Sequence, residues 1–135
     1  DVNGDGRLDL VTARCEYGVW PWSDKKGELL WLEQPAAEPL SGQPWAEHSL
    51  ADGPDFFFCQ QPGVPTLALA APEFISGRIV YYYMRDGVLQ SRVLDADSGP
   101  GFSCSWADLN GDGRLELLAT NHRNRNGSVY ASSFA

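Results

Sequence analysis

Apolar and polar positions along this chain never hold a helical period. They form short, partly alternating runs rich in β-branched and aromatic residues, separated by clusters of Gly, Pro, Asn and Asp. Strands are predicted at 8–14, 28–33 and 45–50, then at 56–59, 66–71, 78–84 and 88–94, and last at 102–107, 115–120 and 128–134. Asp86-Gly87 between two strong β segments is a hairpin signal. Residues 18–22 read as a Trp-rich loop, 35–44 as a Pro-rich connector and 124–127 as a polar turn.

The same grammar returns three times, in cycles of approximately 1–52, 53–97 and 98–135. Gly53-Pro54 before Phe56 matches Gly99-Pro100 before Phe102, an offset of 46, and the run from Gly27 to Trp31 matches Gly77 to Tyr81, an offset of 50. A period near 50 with about four short strands is the size of one propeller blade. The expected fold is all-β: a β-propeller fragment of about two to three four-stranded antiparallel blades. The chain opens at Asp1 already inside a motif, as a piece of a longer protein would.

Two segments differ in kind from the rest. Residues 1–9 and 108–116 place oxygen-bearing side chains at alternate positions: Asp1, Asn3, Asp5 and then Asp9 in the first, Asp108, Asn110, Asp112 and then Glu116 in the second. Calcium takes six to eight oxygens, and alternate side chains of a tightly curved loop can all face one point. Gly6 and Gly113 permit the sharp turn, and the carbonyls of Arg7 and Arg114 would supply a backbone oxygen while their side chains offset the acids. A metal-free Asp/Asn/Gly turn is the plainer account of one copy. Two near-identical copies, each crowding three carboxylates, favour calcium. An EF-hand needs an acid at position 12 and a following helix; here position 12 is Thr12 or Ala119, and a strand follows.

These loops, each leading into a short strand, together with Leu30-Trp31-Leu32-Glu33-Gln34-Pro35 and the segment from Trp45 through His48 to Leu50, resemble FG-GAP/VCBS-type β-propeller repeats, the kind found in integrin α-subunit heads. The resemblance covers nearly the whole chain. It is specific at the two loops and looser in the middle cycle, where 60–65 has no acidic ligands. It implies that the innermost strand of a blade precedes the loop and the second strand follows it. Residues 56–59 and 102–107 would then be innermost, and the first cycle would lack that strand, leaving loop 1 less well formed than loop 2.

Charge and chemistry narrow the function. Ten basic against eighteen acidic residues give −8, which two Ca²⁺ ions would bring to −4. So acidic a surface repels phosphate backbones, and no nucleic-acid partner is expected. No apolar run is long enough for a membrane span, so no membrane insertion is expected within this segment. The glycines of the two loops match no phosphate-binding pattern. Cys15, Cys59 and Cys104 fit no zinc spacing; they are buried thiols, or two of them form one strand-linking disulfide if the compartment is oxidising.

His48 and His122 lack a visible nucleophile partner, so His48 is expected to be packed or hydrogen-bonded, and no catalytic set is assigned. Core and blade contacts account for Trp31 and Trp45, whereas Trp20 and Trp22 beside Pro21 could form an exposed binding surface. The expectation is a secreted, calcium-binding, non-enzymatic scaffold for a glycan or protein ligand. The alternatives are a propeller segment of a secreted polysaccharide-degrading enzyme and a purely structural spacer.

Overall fold

A computed structural model describes residues 1–16 and 26–122, and the backbone of 127–130. The expected binding surface at Trp20 and Trp22 lies outside the described residues, as do most of the turn at 124–127 and the last five positions.

The described chain contains ten strands and no helix, and so no helix long and apolar enough to cross a membrane. The strands are β1 (Leu10–Glu16), β2 (Lys26–Glu33), β3 (Ala46–Asp52), β4 (Cys59–Gln60), β5 (Ala68–Glu73), β6 (Arg78–Arg85), β7 (Val88–Asp95), β8 (Gly101–Ala107), β9 (Glu116–Asn121) and β10 (Gly127–Tyr130). They form three sheets, β1-β2-β3, β4-β5-β6-β7 and β8-β9-β10, each an antiparallel meander of sequence neighbours. The fold is all-β, with three small sheets in face-to-face succession and no closed barrel, the arrangement of a propeller fragment.

The alternation of strand side chains explains the stacking. In the middle sheet, Leu69 and Ala71 of β5 and Val80 and Tyr82 of β6 face the first sheet, where Leu29 meets them with Val11 and Leu50 at the margin. The intervening Ala70 and Ile79 face the other way, onto Leu117 and Ala119 of β9. One sheet thus supplies two cores, which is why its β5 is buried along its whole length. Burying each large aliphatic side chain contributes about 1.5–3 kcal/mol. The small Ala at 68, 70, 71 and 119 let the sheets approach closely.

The offset of 50 is visible in the ladder. The β2–β3 pairing shifts register between Leu29 and Leu30, and the β6–β7 pairing shifts between Ile79 and Val80, so both carry an irregularity at the same place in the repeat. The Asp86-Gly87 hairpin forms as expected: both residues have positive φ (52° and 74°), as a two-residue turn of matching twist requires.

Two expectations need correction. Residues 56–59 were expected to form a strand, but β4 is only Cys59–Gln60. The cause is Asp55. Its buried carboxylate accepts the amides of Phe56 (2.9 Å), Phe74 (3.0 Å) and Ile75 (2.6 Å), which pins the chain to the β5–β6 turn in place of a ladder. The second concerns the cysteines. Cys59 and Cys104 are joined in a disulfide with their Cα atoms 5.8 Å apart, so the buried-thiol account fails for this pair. The bond ties β4 to β8, the first strands of adjacent sheets; Cys15 takes no part in it.

Candidate metal-binding loops

Loop 2 (108–116) connects β8 to β9, the first and second strands of the third sheet. Loop 1 (1–9) leads into β1, the counterpart of β9. Each loop is organised around the carboxylate of its first residue. Asp1 Oδ1 accepts the amides of Gly4 (2.6 Å) and Asp5 (3.0 Å), and Oδ2 accepts that of Gly6 (2.9 Å). Asp108 does the same for Gly111 (2.7 Å), Asp112 (3.1 Å) and Gly113 (2.8 Å). The curvature depends on Gly6 and Gly113, whose φ values of 85° and 83° are costly for other residues.

The remaining positions correspond one to one. Asn3 Oδ1 accepts the Asp5 amide at 3.1 Å, and Asn110 Oδ1 accepts that of Asp112 at 2.9 Å. Asp5 and Asp112 each accept the amide two residues on, from Arg7 and Arg114, at 2.8 Å. At position 9 the acid reaches back to close the loop: Asp9 accepts the Val2 amide and Glu116 the Leu109 amide, both at 2.8 Å. The amides have an electrostatic consequence. The Arg7 N–H holds the Asp5 carboxyl below its ordinary range, and the Gly113 N–H does the same for Asp108.

Among the described residues no three His, Cys, Asp or Glu side chains converge tightly enough to form a metal cage on their own. The loop acids face backbone amides. A carboxylate nevertheless offers about four lone-pair sites, and the amide bonds to Asp1 or Asp108 occupy only part of that capacity. Side-chain oxygens at positions 1, 3, 5 and 9 with a carbonyl at position 7 make an all-oxygen, hard donor set, and the curvature such a set needs is already present. The residues fit calcium by donor chemistry.

The expectation that loop 1 would be the less well formed is not met. All of its internal bonds match those of loop 2, because every one of them spans at most seven residues. Loop 1 also has described ties beyond these: Arg7 Nε donates to the Gln34 carbonyl (2.9 Å), the Gln34 amide donates to Asp9 Oδ1 (2.9 Å), and the Arg7 guanidinium pairs with Asp5; the positions next to loop 2 that correspond to Gln34 lie outside the described residues.

Outside the loops, His48 stacks on Trp31 with ring centroids 4.4 Å apart and shares a 2.9 Å hydrogen bond with Glu33, the packed role expected of it. The Trp45 indole donates to the Pro39 carbonyl at 2.9 Å. Sequence reasoning missed the buried acids Asp55 and Glu73. Glu73 is fully buried and accepts from Tyr82 Oη (2.7 Å), Ser76 Oγ (2.5 Å) and Arg78 Nη2 (2.9 Å). Burial, reinforced by this carboxylate, pushes the Tyr82 phenol far above its ordinary range. A signal was available: Glu73 is the one acid at the end of an otherwise apolar run, five residues before an Arg. Comparison with protein-family models, curated proteins and solved structures found no match.

Proposed function

We propose that this chain is a calcium-binding β-propeller repeat segment of FG-GAP/VCBS type, acting as a secreted binding scaffold. The observation that carries the reading is the duplicated loop: two copies, 107 residues apart in sequence, make the same side-chain-to-amide bonds at positions 1, 3, 5 and 9. The proposed ligands are Asp1, Asn3, Asp5, the Arg7 carbonyl and Asp9 in loop 1, and Asp108, Asn110, Asp112, the Arg114 carbonyl and Glu116 in loop 2. The role of the ion is energetic. It binds the curved loop and not the open chain, so it stabilises the fold by about 2.7 kcal/mol when present at a hundred times its Kd. The disulfide between Cys59 and Cys104 supports placement outside the reducing cytosol.

Calorimetric titration with Ca²⁺ tests the reading. Two ions per chain and a melting temperature that falls on chelation are expected. Heat indistinguishable from dilution, with identical melting in calcium and in chelator, would refute it.

A further inference from the structure

A second kind of site lies where the first and middle sheets meet, at the ends of the strands remote from loop 1. Here a cavity of about 290 Å³ is lined by Lys26, Gly27, Asp52, Gly53, Ile75 and Ser76. Two of its lining residues are glycine by necessity. A Cβ on Gly27 would stand 2.5 Å from the Gly53 carbonyl oxygen, and one on Gly53, whose φ is 131°, would stand 2.5 Å from Glu73 Oε1. Close packing against the neighbouring chain and Glu73 therefore keeps both positions without a side chain.

The walls hold polar groups with no side-chain partner among the described residues. Lys26 and Asp52 carry opposite charges into one small cavity, yet they form no ion pair with each other or with any other described residue. Ser76 is oriented from beneath. Its hydroxyl donates to the fully buried Glu73 at 2.5 Å and accepts from Arg78 Nε at 3.2 Å, which leaves one lone pair of Oγ to accept from outside. Arg78 and Tyr82 hold Glu73 in turn, which makes it a positioning residue. The cavity thus offers an acceptor at Ser76, a charged acceptor at Asp52 and a charged donor at Lys26.

One edge of the cavity is apolar. Ile75 lines it, and the adjacent Phe74 belongs to a cluster with Phe56 (6.0 Å between ring centroids) and Phe102 (6.2 Å), the latter in contact with Phe57 (5.2 Å). Phe56, Phe57 and Phe102 are each more than 40 % exposed, an uncommon concentration of surface phenylalanine.

Resting on the binding-scaffold reading above, we propose that this cavity is a saccharide site that takes one pyranose, with a linked sugar residue lying on the phenylalanine cluster. Adjacent ring hydroxyls each donate one hydrogen bond and accept another. One hydroxyl donates to Asp52 and accepts from Lys26, and its neighbour donates to Ser76 Oγ. Charge-assisted bonds of this kind are the stronger ones, and the C–H face of a linked sugar suits an apolar ring surface.

The test uses the calcium-loaded, disulfide-intact protein on an array of neutral and acidic oligosaccharides, followed by NMR titration with the best-bound sugar. The expected result is binding that shifts the amides of Gly27, Gly53 and Ser76. Asp52→Asn and Lys26→Met should each weaken it about tenfold without moving the melting temperature, because neither side chain bonds to another described residue, and Ser76→Ala should weaken it by about threefold or more. Sugar binding that survives both Asp52→Asn and Lys26→Met would overturn the site. So would silence on the array from a protein that still takes up two calcium ions, and that result would leave the scaffold's metal loops standing. A protein that binds sugar but no calcium would keep this cavity and sink the metal reading. Capture of free amino acids in place of sugars, abolished by Asp52→Asn, would overturn the saccharide assignment.

Discussion

Loops 1 and 2 have nearly the same sequence and the same internal hydrogen bonds, yet their described surroundings differ. Loop 1 is stitched to the end of β2 by Arg7, Asp9 and the contact of Asn3 Nδ2 with Glu33 at 3.3 Å. Loop 2 has no such outside ties among the described residues, but it is covalently supported at one remove, since the strand that enters it carries Cys104. Local sequence writes the curvature of such a loop, and surroundings decide which partners its acids share. At position 5 the contrast is direct. Asp5 already has a guanidinium partner in Arg7, whereas Arg114 makes no ion pair with Asp112.

The largest expected effect comes from removing the organising acid of one loop. Asp108→Ala deletes a proposed ligand and three amide bonds together and should reduce the proposed calcium stoichiometry from two ions to one, as should Asp1→Ala. Calorimetry that still counts two ions in either variant would break the equivalence of the loops. Next in size is the disulfide. The Cys59→Ser, Cys104→Ser double variant should cost about 2–4 kcal/mol in denaturant unfolding. Because β8 leads into loop 2, calcium affinity should drop there more than in loop 1; an equal drop would mean the loops do not sense their sheets.

A smaller change should separate the loops in the opposite direction. Arg7→Ala frees Asp5 and should raise loop 1 affinity about two- to fivefold, while Arg114→Ala should leave loop 2 close to its starting value. Equal responses would remove the distinction drawn at position 5. The smallest effect belongs to the sheet beneath loop 1, where Arg14 holds the Glu28 carboxyl below its ordinary range through a hydrogen bond. A depressed carboxyl contributes stability that is present above its unfolded value, near 4.5, and is lost as pH falls through the folded value. Glu28→Gln should therefore lower the melting temperature slightly at neutral pH, and the difference should fade in acid and in high salt. A difference that grew in acid would contradict the assigned sign.

Much of this was legible in the sequence, for physical reasons that differ by element. β6 was plain because Ile79 to Tyr83 is β-branched and aromatic throughout, and the turn after it because Asp-Gly tolerates positive φ. Both loops were legible because their geometry is made by contacts within nine residues. The failures involve partners distant in sequence. Phe56, Phe57 and Phe58 look like strand, but Asp55 binds amides 19 and 20 residues away and holds them out of a ladder. Pairing of Cys59 with Cys104 needs two sheets to be stacked before the sulfurs can meet. The cavity at Lys26 and Asp52 joins residues from opposite ends of a hairpin with a turn in the next sheet, and no local pattern records that meeting.

The disulfide also shapes how the chain would respond to being pulled. Force applied at the two ends passes through the sulfur bridge and bypasses the span between residues 59 and 104, a sequence separation of 45. That span hides about 150 Å of contour length from extension. Stretching would peel the first sheet and β9–β10 while the four-stranded sheet stayed enclosed within the bridge, so reduction should release a separate, longer step in a single-molecule trace.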